Sequence, residues 1–196
     1  MRIGKRAAAL AVLARLAGCA TPRVESTSSP TALRLAKPDR VIVSPFTALA
    51  RDRASSVTRP VEQEPVNPAG LRAARDAQAA LQAALVTRLR EAKLPAEAGA
   101  SEAAQGTTML VQGQMDGGRT RRPLLGLPSG QGPITAEIQL LYVAGNAAPQ
   151  FLESFEAEAP TTPVATTNAE INRVADAMAK RIVAFAAAQG WVPAAR

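Results

Sequence analysis

Ile134-Thr135-Ala136-Glu137-Ile138-Gln139-Leu140-Leu141-Tyr142-Val143 (ITAEIQLLYV) is the stretch on which the fold turns. Ile134, Ala136, Ile138, Leu140 and Tyr142 fall on one side of an extended chain, and Thr135, Glu137 and Gln139 on the other. The segment therefore predicts a strand with one buried and one wetted face. Gly145-Asn146 turn the chain, and Gln150–Ala159 (QFLESFEAEA) reads as the hairpin partner. Its alternation is blunter, because Phe151 and Phe155 share a face with Glu153 and Ala157. Upstream, Thr108–Met115 (TMLVQGQM) sets Met109, Val111 and Met115 against Gln112 and Gln114, a second half-buried strand. Earlier still, Arg40–Phe46 (RVIVSPF) carries the β-branched run Val41-Ile42-Val43, closed by Pro45.

An apolar strand face needs a covering layer, and two segments have the period to supply it. Asn67-Pro68 is an N-cap followed by Pro at the first helical position, opening an Ala-rich helix that runs to Lys93. Leu71, Ala74, Leu81, Leu85, Leu89 and Ala92 share its narrow apolar stripe, and Leu94-Pro95 stops it. Thr167-Asn168-Ala169-Glu170 is a capping box. The helix it opens carries Ile171, Val174, Ala175, Met178, Ile182, Phe185 and Ala186 at helical spacing and closes at Gly190. The order β-α-β-β-β-α predicts an α/β chain of the α+β type. Its small, largely antiparallel sheet would carry two helices packed on one face, all in a single domain over 40–193. Thr47–Val66 reads as a disordered loop, Glu97–Gly106 as a polar connection and 19–39 as a flexible tether.

Composition narrows the chemistry. Among 196 residues there is no histidine and one cysteine. A Ser-His-Asp triad, a His-based metal site, an internal disulfide and a thiolate zinc cluster are all excluded. Neither a metal nor a cofactor is implied, and no apolar run reaches the length of a membrane span. The carboxylates of the hairpin partner are Glu153, Glu156 and Glu158. Glu156 and Glu158 alternate onto an outward face and read as solvated charges rather than a glycosidase pair.

The amino terminus says where the chain is held. Arg2, Lys5 and Arg6 form a positive n-region, and Ala7–Ala14 (AAALAVLA) a short apolar h-region. Leu16-Ala17-Gly18-Cys19 follows and resembles the lipobox of bacterial lipoproteins. The resemblance implies cleavage after Gly18 (residues 1–18 being the signal peptide) and acylation of Cys19, with membrane lipid as its partner. Two or more acyl chains give stable anchoring. Ala20 after the cysteine, by the same analogy, favours the outer membrane at its periplasmic face. Loss of Arg2, Lys5, Arg6 and Arg15 with the leader takes the formal charge from +7 to +3. The basic balance is thus a targeting feature and implies no nucleic-acid partner.

The loop 117–132 is the site-like feature of the domain. Arg119, Arg121 and Arg122 could meet an anionic headgroup, an anionic glycan or an acidic partner, and Leu124 and Leu125 a groove or membrane face. The bland alternative is a solvated hairpin loop whose Gly and Pro residues only shape turns. Taken with the lipobox, several stretches are similar to an uncharacterised proteobacterial lipoprotein family, a domain of unknown function, over roughly 40–160. These are the Val-rich strand ending in Phe46, Arg88-Leu89-Arg90-Glu91-Ala92-Lys93-Leu94-Pro95, Leu110-Val111-Gln112-Gly113, and the Gly118-Arg119, Arg121-Arg122 and Leu125-Gly126 pairs. The resemblance supplies no catalytic residues. The expected function is a non-enzymatic accessory or adaptor module of the cell envelope with an envelope protein as partner. The alternative is a periplasmic lipid or small-ligand binding lipoprotein, which needs an apolar pocket between sheet and helices.

Changing Arg119, Arg121 and Arg122 together to Ala should weaken membrane or partner association while lowering the melting temperature by no more than about 3 °C. Unaltered co-sedimentation would leave the loop a mere turn, and a large melting loss would make it structural.

Overall fold

A computed structural model of the chain describes residues 23–26, 34–51, 58–60, 68–117, 134–159 and 167–193. Its strands are β1 (Arg23–Ser26), β2 (Arg40–Val43), β3 (Thr47–Arg51), β4 (Thr58–Pro60), β5 (Ala96–Ala98), β6 (Thr107–Gly117), β7 (Ile134–Ala144) and β8 (Gln150–Ala159). The helices are α1 (Pro68–Glu91) and α2 (Thr167–Ala188). The fold is α+β. A sheet path β1-β8-β7-β6-β2-β5 carries β3 on β6 and β4 on β3, and it does not close.

The centre of the sheet follows from the sequence pattern. β6 pairs with β7 antiparallel over its whole length, from Thr107↔Ala144 to Gly117↔Ile134, and β7 with β8 likewise. This register stacks Met109 opposite Tyr142, Val111 opposite Leu140 and Met115 opposite Ala136, all buried on the same face. Both helices lie on that face. Leu81, Leu85 and Leu89 of α1 are fully buried, four residues apart, and every apolar position expected of α2 is buried. Arg88 of α1 reaches Asp176 of α2, with Nε donating to Oδ1 at 2.5 Å.

Four strands were not expected, and two of them, β3 and β5, together with β2 add parallel pairings to the antiparallel β6–β7–β8 meander. Pro45 breaks the strand but does not end the edge. β2 and β3 both pair parallel with β6, over Arg40↔Thr108 to Val43↔Val111 and again over Thr47↔Gln114 to Leu49↔Asp116. Lacking an N–H, Pro45 cannot join the ladder, so one extra residue is looped out and pairing resumes at Thr47. β3 and β4 thus lie inside the stretch read as a disordered loop. β5 lies at the start of the stretch read as a polar connection and pairs parallel with β2. Parallel partners so short carry too few residues for alternation to register.

The stretch read as a tether is also partly structured. Arg23–Ser26 pairs antiparallel with Phe155–Glu158 of β8. Further on, Trp191 Nε1 donates to the Leu35 carbonyl at 3.1 Å, Leu35 N donates to Gln189 Oε1 at 3.1 Å, and the Tyr142 hydroxyl donates to the Ala36 carbonyl at 3.1 Å. The Trp191 ring stacks on Tyr142 and meets Phe185 edge-on, at centroid distances of 6.3 and 5.7 Å. The strap is held by single donors that composition does not advertise.

Both helices end in Schellman-type turns. At α2 the left-handed residue is Gly190 (φ 78°), with Trp191 N returning to the Ala186 carbonyl at 2.9 Å. At α1 it is Lys93 (φ 67°), with Leu94 N bonded to the Leu89 carbonyl at 3.0 Å, so the stop is made one residue before Leu94-Pro95.

At Gly113 β6 passes too close to the β7 backbone to admit a side chain. A Cβ built there would stand 2.2 Å from the Glu137 carbonyl oxygen, a backbone atom that cannot turn aside. Gly113→Ala should destabilise the domain by about 2 kcal/mol through forced strand separation. Urea denaturation would report it as a lower midpoint at unchanged slope, and an unshifted midpoint would refute the close approach.

Candidate functional site

The residues that leave the core face of the sheet build its other face. On β7 these are Thr135, Glu137, Gln139, Leu141 and Val143, and on β6 Thr108, Leu110, Gln112 and Gln114. Across this surface runs the short 3₁₀ turn Ser101–Ala103, which follows β5. It divides the face into two adjoining depressions. The first, of about 610 Å³, is lined by Ser44, Thr47, Glu102, Gln112, Gln114 and Glu137 among others. The second, of about 580 Å³, is lined by Leu110, Leu141, Val143 and Pro149 and shares Ser101, Glu102 and Gln112 with the first. Ile42, Leu110 and Val143 form a small apolar cluster beneath it, with Leu141 and Ala104 against them.

Charge and hydrogen bonding are uneven across this face. Gln114 Nε2 donates to Glu137 Oε2 at 2.6 Å. Glu137 stands opposite Glu156 of β8, and Glu156 opposite Glu25 of β1, so three carboxylates sit side by side across three strands. Like charges in directly opposed positions destabilise a sheet. Ser44, on Ile42's side of the strand by alternation, is 6% exposed, and its Oγ has no hydrogen-bond partner among the described residues. Each such buried group calls for an explanation. Among the described residues, the charged ones lining the first depression are Glu102 and Glu137.

Glu153 takes a different course from its neighbours. The β7–β8 register passes from Leu140↔Glu153 to Leu141↔Phe151, leaving Leu152 as an extra residue. That bulge switches the parity of the strand. Phe151, expected beside Phe155, instead points to the outer face and is 45% exposed, while Leu152 and Glu153 turn under the helices and are fully buried. Arg181 of α2 grips Glu153 Oε1 through both Nε (2.8 Å) and its terminal nitrogen. This is an ion pair that fastens α2 to the sheet. Glu156 is exposed and Glu158 half-buried.

The perturbed titrations lie away from the outer face. Burial pushes the Tyr142 phenol up, and Asp39 adds to it. Hydrogen bonds donated to Glu91 and then to Asp176 push the Arg88 guanidinium up. Among the described residues no three acidic or thiol side chains converge on a metal-sized point, and no helix is long and apolar enough to cross a membrane. Leu16, Ala17, Gly18 and Cys19 lie outside the described residues, as do Arg119, Arg121, Arg122, Leu124 and Leu125. The outer depressions were not foreseen. Their one signal was the polar half of the alternation in Thr135–Gln139 and Gln112–Gln114, first read only as wetted surface.

No family model matches the chain, and no curated protein does. Similar solved structures include the PelC dodecamer from Paraburkholderia phytofirmans, at 12% identity and a TM-score of 0.45, covering 81% of this chain and 96% of that one. A Xanthomonas campestris protein of the DUF330 family is 14% identical at a TM-score of 0.39, covering 87% of this chain and 95% of its own. A Helicobacter pylori protein described as a neuraminyllactose-binding hemagglutinin homologue is 8% identical at 0.38, covering 79% and 86%. No residue role is carried over from them.

The two classes of glutamate should separate in a stability measurement. Arg181→Met strands a buried carboxylate and should cost about 3 kcal/mol. Glu156→Gln relieves like-charge opposition and should raise stability by about 0.3 kcal/mol at low salt. Equal losses in paired urea titrations would show that the buried pair and the acidic row are not distinct.

Proposed function

We propose that the chain is a lipid-anchored protein of the cell envelope whose domain serves as a non-enzymatic accessory or adaptor module. It would sit on the periplasmic face of the outer membrane. The observation that carries this reading is the succession of Arg2-Lys5-Arg6, the apolar Ala7–Ala14 run and Leu16-Ala17-Gly18-Cys19. Acylation of Cys19 would set a short leash. Arg23, where pairing with β8 begins, is four residue steps on from Cys19, so the anchor and the sheet edge stand at most about 14 Å apart. A domain held that closely presents its faces sideways along the bilayer, as a module docking onto a membrane-bound neighbour would.

The carrier alternative calls for an apolar chamber between sheet and helices. That space is occupied by Leu81, Leu85, Met109, Ile138, Leu140 and Met178, all fully buried, which favours the adaptor reading.

Cys19→Ser tests the anchor. The variant precursor should take up no radiolabelled palmitate, keep its leader and leave the membrane fraction. Normal labelling of the variant would overturn the reading.

A further inference from the structure

We infer that the outer face of the sheet is a docking surface for a basic, extended segment of a partner protein. Its lysine or arginine side chains would lie over Glu102, Glu137 and Glu156, with an aliphatic side chain in the depression formed by Leu110, Leu141 and Val143. The inference rests on the adaptor reading only in taking the occupant to be a protein.

Three independent features point to an occupant. The first is charge. Glu137 and Glu156 oppose one another in strand register, an arrangement that costs stability in the free domain. Covering it with cationic groups turns the same row into an attractive surface. Glu102 overhangs the same depression from the 3₁₀ turn, and among the described residues no lysine or arginine lines either hollow. The second is Ser44, which lines the first depression and whose buried hydroxyl has no partner among the described residues. A polar group lowered into the hollow would supply one. The third is the apolar end. Phe151 is the exposed large hydrophobic side chain among the described residues, and it stands opposite Leu141 on this face. Leu141 and Phe151 therefore form a partly open apolar patch above the buried Leu110 and Val143.

Shape selects the segment. Glu137 and Val143 are six residues apart on β7, about 20 Å, the reach of a six-residue extended peptide. In an extended chain alternate side chains share one side, so basic residues followed by an aliphatic one, each two apart, would track the acidic and then the apolar hollow. A peptide supplies both kinds of side chain in that order. A glycan offers no aliphatic side chain for the second hollow. An anionic membrane surface would be repelled by the carboxylates.

The test uses the purified full chain in detergent and a fluorescein-labelled octapeptide, Lys-Thr-Lys-Thr-Lys-Thr-Leu-Thr, followed by anisotropy. Binding should be saturable and should weaken as salt rises from about 0.05 to about 0.3 M. The double variant Glu137→Gln/Glu156→Gln should bind about tenfold more weakly, with its melting temperature unchanged or raised. Leu141→Ser should weaken binding several-fold while leaving the salt dependence intact. Equal binding of an analogue with glutamate for lysine would overturn the proposal. So would undiminished binding by the double variant, or binding of a glucosamine oligomer with none of the peptide. A photocrosslinker placed at Gln139 in cells separates this surface from the adaptor reading. An envelope protein captured there by the unaltered chain and lost with the double variant supports both. Capture undiminished by the two substitutions overturns the surface and keeps the adaptor. Peptide binding with no envelope protein captured overturns the adaptor reading and leaves the surface's chemistry standing.

Discussion

Burial of one face of the β6–β7–β8 meander beneath α1 and α2 is the constraint on which the rest depends. Ile134, Ala136, Ile138, Leu140 and Tyr142 cannot all be removed from water unless β7 is extended, central and covered. Once that side is fixed, the other side of every central strand is fixed too, because a shift by one residue would exchange the two faces entirely. The polar and acidic outer surface is therefore determined by the core, and its composition is left free for other purposes. The amides of Gln112, Gln114 and Gln139 and the carboxylate of Glu137 occupy positions where the core makes no demand.

Polar contacts then decide how the layers sit. The Glu153–Arg181 pair fixes α2 along β8 at a point where a bulge has turned a carboxylate inward. Such a pair adds little net stability over a packed apolar alternative, yet it tolerates few arrangements of helix on strand. The Leu35–Ala36 strap does similar work at the other end, through bonds to Trp191, Gln189 and Tyr142. Both devices join segments more than 25 residues apart in sequence. The meander supplies stability, and these contacts supply position.

What was legible in the sequence follows the same division. β7, the buried stripe of α2 and its Gly190 stop could be read because periodicity runs unbroken over ten or more residues and each position has one physical reason. β3, β4 and β5 could not, since strands of three to five residues joined by Pro45 or ending at Gly99 give alternation no room. β8 was half legible. Its existence was plain, but Leu152 inserts one residue and inverts the facing of Phe151, which no local pattern announces. The outer hollow was least legible of all. It is made by the 3₁₀ turn crossing over Gln112, and that crossing is a property of chain path rather than of any motif.

The leash and the acidic row bear on each other through β1. Arg23–Ser26 is the first described segment after Cys19, and Glu25 within it stands opposite Glu156. An acylated Cys19 would hold this edge of the sheet within about 14 Å of the headgroups, close to the roughly 8–10 Å over which anionic charge is felt at physiological salt. Carboxylates there would gain nothing from lying on an anionic surface, so on that reading the outer face would not be held flat against it. On the lipid-anchored reading proposed above, the two hollows would be left open to a neighbour on the same bilayer.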